Sequence, residues 1–388
     1  MNSTKVKPDK TSPAASGCKP VLFPMVADTC EGGESFRLPD LNQSFIIGSV
    51  PTPAGNVPRV AAALTAADRR GTFKARWGVG RMNYTVQPGL YALGAPDEKC
   101  PVLVTANYKM SFDRLRRELS GRNAWILVLD TKGINVWCAA GKGTFSTAEL
   151  LKQIETSGLS RVVAHKTLIV PQLGAPGLAA HHVRKHSGFK VVYGPVRAED
   201  LPEFLDKELK ATAAMRKKTF PLRERVVLIP VELVDACKYA FLIFLGFFLL
   251  GGLSADGSFW SGAVRHGLPA AYGLFAAVLS GAVLTPLLLP WLPGKAFSLK
   301  GLWPGLVAAA ILIGLYGHAA TSLAARLEIL AWVVLIPATA AYLAMNFTGA
   351  STYTSRSGVK KEMRRALPMQ IAGGLMGIGL WLGARFFV

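Results

Sequence analysis

Apolar and polar positions alternate in short blocks between residues 101 and 210. Short apolar runs, typical of buried strands, alternate with stretches whose apolar positions recur every third or fourth residue, as in helices. The predicted strands are Val102–Thr105, Trp125–Leu129, Thr167–Val170 and Lys190–Tyr193. The predicted helices are Phe112–Leu119, Thr147–Ile154, Leu178–His186 and Ala198–Leu209. This order predicts a Rossmann-like α/β domain, in which helices cover a parallel sheet.

From Cys237 onward the pattern changes to long apolar runs. Runs long enough to cross the core of a bilayer lie at about 238–255, 268–290, 302–323, 329–349 and 368–388. They predict an all-α transmembrane domain of five helices, in contact with membrane lipid. His318 is expected to be the titratable side chain that lies deep in a span, and a packing role is favoured over a place on a transport path.

The same patterning divides the chain into segments. Residues 1–44 are rich in Lys, Pro, Ser and Asp, and their apolar patch is too short for a signal peptide, so a disordered N-terminal tail is expected. Residues 45–210 form the predicted α/β domain with its cap helix. Residues 211–237 are interpreted as a basic linker, and residues 238–388 as the transmembrane domain.

Basic residues clearly outnumber acidic ones. The chain has 44 Lys and Arg against 24 Asp and Glu, a formal net charge of +20. Such a surplus can indicate nucleic-acid binding, but here the basic residues lie beside membrane-length runs and do not interleave with aromatic residues. Membrane topology therefore explains the charge better than a nucleic-acid partner does.

The distribution of basic residues also predicts an orientation. One set of loops carries most of them: Arg216, Lys217, Lys218, Arg223, Arg225, Lys295, Lys300, Arg356, Lys360, Lys361, Arg364 and Arg365. The other set carries Arg265, Arg326 and Arg385. Because basic loops remain on the cytoplasmic side, we expect a multi-pass protein of the cytoplasmic (inner) membrane, with its N-terminal domain in the cytoplasm and its C-terminus outside.

Candidate binding residues follow the predicted strands. The carboxyl ends of parallel strands share one edge of a sheet, and ligands of such sheets bind there. The residues expected at this edge are Thr105, Asn107, Thr131, Gly133, Leu173, Gly174, Gly194, Pro195 and Val196. Taken singly, the glycines and the proline suit ordinary turns equally well.

The segment Asn135–Lys142 combines a helix start with a single thiol. Asn135 suits a helix N-cap, and Cys138 would lie in the first turn of a short helix stopped by Gly141 and Gly143. The helix dipole and Lys142 would both favour a thiolate, which can act as a ligand or a nucleophile. On local pattern alone, the alternative of a small core residue in an alanine-rich turn is favoured.

The whole octet resembles the signature of the HgcA family, the membrane-bound corrinoid proteins of microbial mercury methylation, which are related to the large subunit of the corrinoid iron–sulfur protein. Flanking stretches resemble the same family: Val57–Tyr91, Pro101–Leu119, Ala124–Thr147 and Val192–Leu205. The resemblance implies that the α/β domain binds a cobalamin-type corrinoid and that Cys138 is the lower axial ligand of its cobalt. The octet residues expected at the corrin are Asn135, Val136, Trp137, Cys138, Ala139, Ala140, Gly141 and Lys142.

The resemblance also implies a reaction and partners. The expected activity is corrinoid-dependent transfer of a methyl group to inorganic Hg(II), forming methylmercury. A thiolate ligand would help the methyl group leave with its bonding electrons, as thiolate supplies electron density to iron in cytochromes P450. The implied partners are a ferredoxin-like protein with two four-iron clusters, similar to HgcB, and a methyl donor such as methyltetrahydrofolate or a methylated pterin protein.

Two negative observations bear on this interpretation. The five cysteines include no CxxC pair, so they predict no zinc site and no cluster held by four close thiolates. The Asp-x-His-x-x-Gly pattern that places a histidine under cobalt is also absent, and His182 and His186 favour a solvated helical face over a metal site. Two alternatives stay open: a corrinoid methyl carrier of the acetyl-CoA pathway type, and a membrane transporter or scaffold with a ligand-binding cytoplasmic domain.

Overall fold

An α/β domain comes first in the chain and a helical region follows it. The computed structural model describes residues 36–253, 258–350 and 356–385. The domain's strands are β1 (Ile46–Thr52), β2 (Gly55–Val60), β3 (Gly89–Leu93), β4 (Val102–Ala106), β5 (Ala124–Leu129), β6 (Thr167–Val170) and β7 (Lys190–Tyr193). Its helices are α1 (Ala66–Arg76), α2 (Lys109–Glu118), α3 (Val136–Lys142), α4 (Thr147–Thr156), α5 (Leu159–Val162), α6 (Ala180–Ser187) and α7 (Leu201–Asp206).

All the strands belong to one sheet with the order β1-β2-β3-β5-β4-β6-β7. The predicted strands, β4 to β7, are parallel to one another. The sequence did not predict β1, β2 and β3, of which β3 joins β5 antiparallel. The strand β1 is mostly exposed and β2 contains Pro58, so neither has the continuous apolar run by which the inner strands were recognised.

Helices cover both faces of the sheet because successive side chains of each inner strand point to opposite sides. One core joins the sheet to α4 and α6, and includes Val104, Leu127, Leu150 and Val183. The other joins the sheet to α2 and α7, and includes Leu103, Ile126, Phe112 and Phe204. The predicted Rossmann-like arrangement is therefore correct for residues 102–206.

The chain leaves β4 and β6 toward opposite edges of the sheet. From β4 it crosses to β5, then returns past β4 to reach β6 and continues to β7. The connections that follow β4 and β6 therefore diverge, and a crevice opens between the carboxyl ends of these two strands. The topology thus places a ligand crevice beside Thr105 and Val170.

Part of the expected tail is packed on the domain. Phe36 and Leu38 pack against the core, and the Arg37 N–H donates to the Thr156 carbonyl at 2.8 Å. Residues 36–44 have no regular secondary structure, yet these apolar side chains gain burial against the sheet. The expectation of disorder is therefore wrong for residues 36–44, and residues 1–35 lie outside the described residues.

The helical region has helices long and apolar enough to cross a membrane at Leu222–Gly252, Phe259–Leu288, Phe297–Tyr316, Leu323–Thr348 and Gly358–Gly383. They comprise α8 (Leu222–Gly252), α9 (Phe259–Val278), α10 (Thr285–Leu288), α11 (Phe297–Tyr316), α12 (Leu323–Met345) and α13 (Arg356–Gly383). A π-helical turn, Leu279–Leu284, joins α9 to α10. The five predicted spans correspond to these helices.

Two helices begin earlier than their apolar runs. The helix α8 starts at Leu222, so much of the predicted linker 211–237 is helical, and α13 starts at Arg356, well before residue 368. Apolar runs mark only the part of a helix that matches a bilayer, whereas backbone hydrogen bonding continues through charged turns that protrude from it. The start of α8 contributes residues to the lining of a cavity in the structure.

His318 does not lie deep in a span. It is exposed in a 3-10 turn, Gly317–Ala319, at the end of α11. The helical region instead holds an ion-paired group: His266 Nδ1 lies 3.4 Å and Arg385 Nη2 lies 3.0 Å from the two carboxylate oxygens of Glu328. Glu328 was missed because it stands at the edge of an apolar run, where a charged residue is common.

A buried ion network fixes α1 to α2. Lys109 Nζ lies 2.7 Å from Asp68 and 2.6 Å from Asp113, and Arg116 Nη2 lies 2.8 Å from both carboxylates. All four side chains are buried. Burial alone would raise the pKa of Asp68, but hydrogen bonds from Lys109 and the Thr65 backbone bring that pKa well below its ordinary value. The network is balanced, with two charges of each sign.

Asn107 holds the loop between β5 and α3. Its Oδ1 accepts hydrogen bonds from the Thr131 N–H (3.1 Å), the Thr131 hydroxyl (2.8 Å) and the Gly133 N–H (3.1 Å). Its Nδ2 donates to Asp130 at 3.2 Å. A Cβ at Gly133, whose φ is +70°, would lie 2.5 Å from the Met82 carbonyl oxygen, so only glycine fits there. The turn that carries the octet is therefore tied to the end of β4.

We predict that Arg116→Leu strongly destabilises the α/β domain. The substitution leaves two buried carboxylates with one buried cation, which lowers the free energy of unfolding by about 3–5 kcal/mol. Denaturant unfolding of the full chain in detergent, followed by tryptophan fluorescence, measures the change. Arg122→Leu is the control, because its ion pair with Asp206 is exposed (36% and 60%) and should contribute at most about 1 kcal/mol. Equal losses for the two variants would contradict this account.

We also predict that Asn107→Ala destabilises the chain by about 1–3 kcal/mol, because buried donors of Thr131 and Gly133 lose their acceptor. The same unfolding measurement applies. Asn123→Ala is a matched control: Asn123 is exposed and accepts one hydrogen bond, from the Ala95 N–H at 3.0 Å. Its loss should cost about 0.5 kcal/mol or less. An Asn107 variant as stable as the control would show that the loop does not depend on this side chain.

Candidate cofactor site

The octet forms a capped helix. Asn135 is extended (φ −64°, ψ 159°), and its side-chain oxygen accepts the Cys138 N–H at 3.0 Å, as expected of an N-cap. The helix α3 runs from Val136 to Lys142 and ends at Gly143, which is left-handed (φ 81°). Gly141 does not stop the helix but lies within it. The backbone thus holds Cys138 in the first turn, with its N–H satisfied by the cap.

Burial separates the two faces of α3. Val136, Ala139 and Ala140 are buried and belong to the core, at the spacing that places residues on one side of a helix. Trp137 is 40% exposed and Cys138 is half-buried. Cys138 therefore faces away from the core, and the alternative that treats it as a small packing residue does not describe this site.

A cavity of about 590 Å³ opens beside Cys138. Its volume falls within the roughly 300–1,000 Å³ of small-molecule and cofactor sites. It lies at the crevice between β4 and β6, and both Thr105 and Val170 line it. The expected site residues that line it are Thr105, Asn135, Val136, Trp137, Cys138, Leu173, Gly194, Pro195 and Val196. These strand-end residues and the first half of the octet thus lie around one cavity, and their role in binding stays a prediction.

Other expected site residues do not line this cavity. They are Asn107, Thr131, Gly133, Ala139, Ala140, Gly141, Lys142 and Gly174. Thr131 and Gly133 both donate hydrogen bonds to Asn107 in the loop before the octet, and Ala139 and Ala140 pack in the core. A Cβ at Gly174 would lie 2.5 Å from the Phe145 ring. A position near a strand end does not by itself place a residue in the cavity lining, because a side chain that turns inward holds its own loop instead.

The helical region forms a further wall of the cavity. Leu228, Val231 and Glu232 of α8 line it, as does Asn346 just beyond α12. Sequence reasoning missed these residues because it assigned residues 211–237 to a linker. The charged residues at the start of α8, before its apolar run, were the available signal, because they suggest a helix that extends beyond the bilayer.

Charged side chains also reach the cavity. Arg81, Arg114, Arg197, Lys218 and Glu224 line it. Several are paired: Arg114 with Glu199, and Lys218 and Arg197 with Glu224. The lining therefore combines an apolar rim, a thiol and cationic side chains whose charge is partly neutralised.

The buried hydroxyl of Tyr108 is a further polar group of the α/β domain. Its hydroxyl is buried and has no hydrogen-bond partner within the described residues. Burial raises the pKa of this hydroxyl, which lies within electrostatic range of Arg81 and Cys138, so it stays protonated and able to donate. A buried donor without an acceptor costs free energy unless a bound group satisfies it. Tyr108 is not among the cavity-lining residues; the mostly apolar lining with its polar and charged side chains is what suits a large cofactor that carries polar substituents.

The histidines of α6 do not form a second site. His182 and His186 are exposed, and the His186 ring bonds to the His182 carbonyl oxygen at 2.8 Å. Among the residues that the structure describes, no group of three or more His, Cys, Asp or Glu is arranged to hold a metal ion. The interpretation of these histidines as a solvated helical face agrees with their exposure.

Comparison with known proteins points to the same part of the chain. Residues 80–205 match the family model of the CO dehydrogenase/acetyl-CoA synthase delta subunit. This family, that of the corrinoid iron–sulfur protein, binds a cobalamin-type corrinoid. The matched segment runs from Gly80 to Leu205 and thus contains α3, the four parallel strands and most of the domain's cavity lining.

Curated relatives are similar over this segment. The acetyl-CoA decarbonylase/synthase complex subunit gamma of Methanopyrus kandleri is 34% identical over 125 residues, 32% of this chain and 27% of the relative. The subunit gamma of Methanothermobacter thermautotrophicus is 31% identical over 129 residues (33% and 28%). The subunit gamma 2 of Methanosarcina thermophila is 34% identical over 134 residues (33% and 28%). The match thus spans little more than a quarter of these relatives, and it falls within the α/β domain of this chain.

Proposed function

We propose that this chain is a membrane-anchored, corrinoid-dependent methyltransferase whose methyl acceptor is inorganic Hg(II). The observation that carries the proposal is the position of Cys138. It lies in the first turn of a capped helix and lines a cofactor-sized cavity at the β4/β6 crevice. The resemblance of the octet to the mercury-methylation family and the match to a corrinoid-binding family both support a corrinoid at this place.

When bound, a corrinoid supplies a cobalt ion that accepts a methyl group from a donor and passes it to an acceptor. In the proposed site, the Cys138 sulfur would be the side-chain group that holds that metal. The Asn135 cap and the Asn107 hydrogen bonds fix the helix and loop that present the sulfur. Trp137 and Val136 line the cavity beside it and would exclude water from the ring.

Mercury(II) as acceptor follows from the type of ligand. Hg(II) is an electrophile, so the methyl group leaves with its bonding electrons, as a carbanion equivalent, or by a radical step. A thiolate is a stronger electron donor than an imidazole, and thiolate ligation has this effect in haem proteins. Cys138 would therefore favour release of the methyl group toward an electrophile.

The electrons that the reaction consumes imply a partner that supplies them. Reloading from a donor such as methyltetrahydrofolate or a methylated pterin protein requires that the metal first regain two electrons. The five cysteines of this chain include no four closely spaced ones for a cluster. We therefore propose a ferredoxin-like partner with two four-iron clusters as the electron donor. The basic loops support an orientation in which the α/β domain and this partner are cytoplasmic.

A second candidate is a corrinoid methyl carrier of the acetyl-CoA pathway type. The comparisons favour it, since the relatives named above are subunits of the acetyl-CoA decarbonylase/synthase complex. It differs from the mercury proposal in the acceptor and not in the cofactor. The helical region with its five apolar spans and the octet around Cys138 are the features that favour the mercury proposal.

We predict that Cys138→Ala abolishes methylmercury formation, with a loss of at least about 100-fold, because a metal ligand and its electron donation are removed. Cys237→Ala is the control, since Cys237 is exposed on α8 and is not among the cavity-lining residues. The assay follows methylmercury formed anaerobically by membranes that contain the full chain, its reductant and a methyl donor. A nickel acetyl-CoA synthase offered in place of Hg(II) tests the second candidate.

The outcomes separate the two candidates. Retained methylmercury formation in Cys138→Ala would contradict the proposed role of the thiolate. Methyl transfer to the nickel enzyme, without transfer to Hg(II), would replace the mercury proposal by the carrier. Membrane insertion and the unfolding transition of the variant serve as controls for folding.

A further inference from the structure

The segment Phe73–Met82, at the end of α1, carries most of the exposed large apolar side chains of the α/β domain. Phe73 is 62% exposed, Trp77 39%, Val79 62% and Met82 59%. The rings of Phe73 and Trp77 lie 6.1 Å apart. Soluble domains rarely expose such a group of apolar side chains without a partner. Something apolar is therefore expected to cover this segment.

Cationic residues flank the apolar ones. Arg69, Arg70 and Lys74 are exposed. Within the part of the chain that the structure describes, the three side chains form no ion pair and no hydrogen bond. Exposed aromatic residues combined with free cationic groups are typical of surfaces that bind at the interface of anionic membranes.

A contact with α8 indicates the depth of this segment relative to the bilayer. A Cβ at Gly78 would lie 3.9 Å from Val234 Cγ1 of α8. The uninterrupted apolar run of α8 begins after Lys238. Five residues of helix separate Val234 from Tyr239, about 8 Å along the axis. The headgroup layer on each side of the hydrocarbon core is roughly 5–8 Å thick. The segment thus lies at the level of the headgroups.

The helix beside this segment faces lipid. Only 11% of the apolar window of α8 is buried, and Tyr239, Phe241 and Leu242 are about 60% exposed. A segment that contacts α8 near its entry into the bilayer therefore lies next to lipid. This continuity with the membrane-facing surface favours a lipid leaflet over a protein as the covering partner.

We propose that the segment Phe73–Met82 inserts into the headgroup layer of the leaflet that α8 enters. Trp77, Val79 and Met82 reach the boundary of the acyl chains, and Lys74 binds anionic headgroups together with Arg69 and Arg70. The Met82 carbonyl also lies against Gly133 of the turn that carries the octet. Contact with lipid therefore braces the loop beneath the Cys138 helix. This proposal does not depend on which methyl acceptor the protein uses.

Hydrogen–deuterium exchange of the full-length protein in lipid nanodiscs tests the proposal. We expect the amides of residues 77–83 to exchange about ten-fold more slowly in nanodiscs with anionic lipid than in purely zwitterionic ones, because each basic residue near an anionic surface adds roughly a five-fold preference. Val79→Ser combined with Met82→Ser should restore fast exchange in both lipids. Both substitutions are of exposed residues and should leave the fold intact. Ile47→Ser is the control, since Ile47 is equally exposed (59%) on β1.

Charge-reversal variants measure how much of the protection from exchange comes from attraction to anionic headgroups. Arg69→Glu, Arg70→Glu and Lys74→Glu together should abolish the dependence on anionic lipid. Exchange that is the same in both lipids and unaffected by these variants would overturn the proposal. Protection that appears only when the iron–sulfur partner is added would also overturn it, and would assign the segment to a protein interface.

Discussion

The divergence of the chain at the carboxyl ends of β4 and β6 is the constraint on which the site depends. Because the two connections run toward opposite edges of the sheet, they leave a crevice between the carboxyl ends of these strands. The cavity lies in this gap, and α3 presents Cys138 to it. Asn107, at the end of β4, then ties the octet's turn to the same strand end. The thiol's position thus follows from sheet topology and one buried carboxamide.

The helical region also shapes the cavity. The start of α8 supplies Leu228, Val231 and Glu232, so the cavity is completed by residues of the first long apolar helix. Arg225 ties the start of α8 to α10 by donating hydrogen bonds to the carbonyl oxygens of Pro286 (2.8 Å) and Leu287 (2.6 Å). Any movement of α8 relative to the sheet would change the shape of the cavity. The position of the helical region and the shape of the cavity are therefore physically coupled in this chain.

The sequence predicted the parallel core and the octet helix because both have strong local signals. The inner strands are continuous apolar runs, and Asn135 is a good cap whatever surrounds it. Prediction from the sequence failed for the features that tertiary contacts determine. The packing of Phe36, the pairing of β3 with β5, and the inward turn of Asn107 and Thr131 leave no periodic pattern. Glu232 was missed for a related reason, since composition alone separates a linker poorly from a protruding helix.

The central claim is that the Cys138 sulfur is the lower ligand of cobalt. X-ray absorption at the cobalt edge, recorded anaerobically on the full-length protein loaded with corrinoid, tests it most directly. The account predicts a sulfur atom in the first coordination sphere of the wild-type protein and its replacement by a nitrogen or oxygen atom in Cys138→His. Identical cobalt coordination in the two proteins, without sulfur, would contradict it.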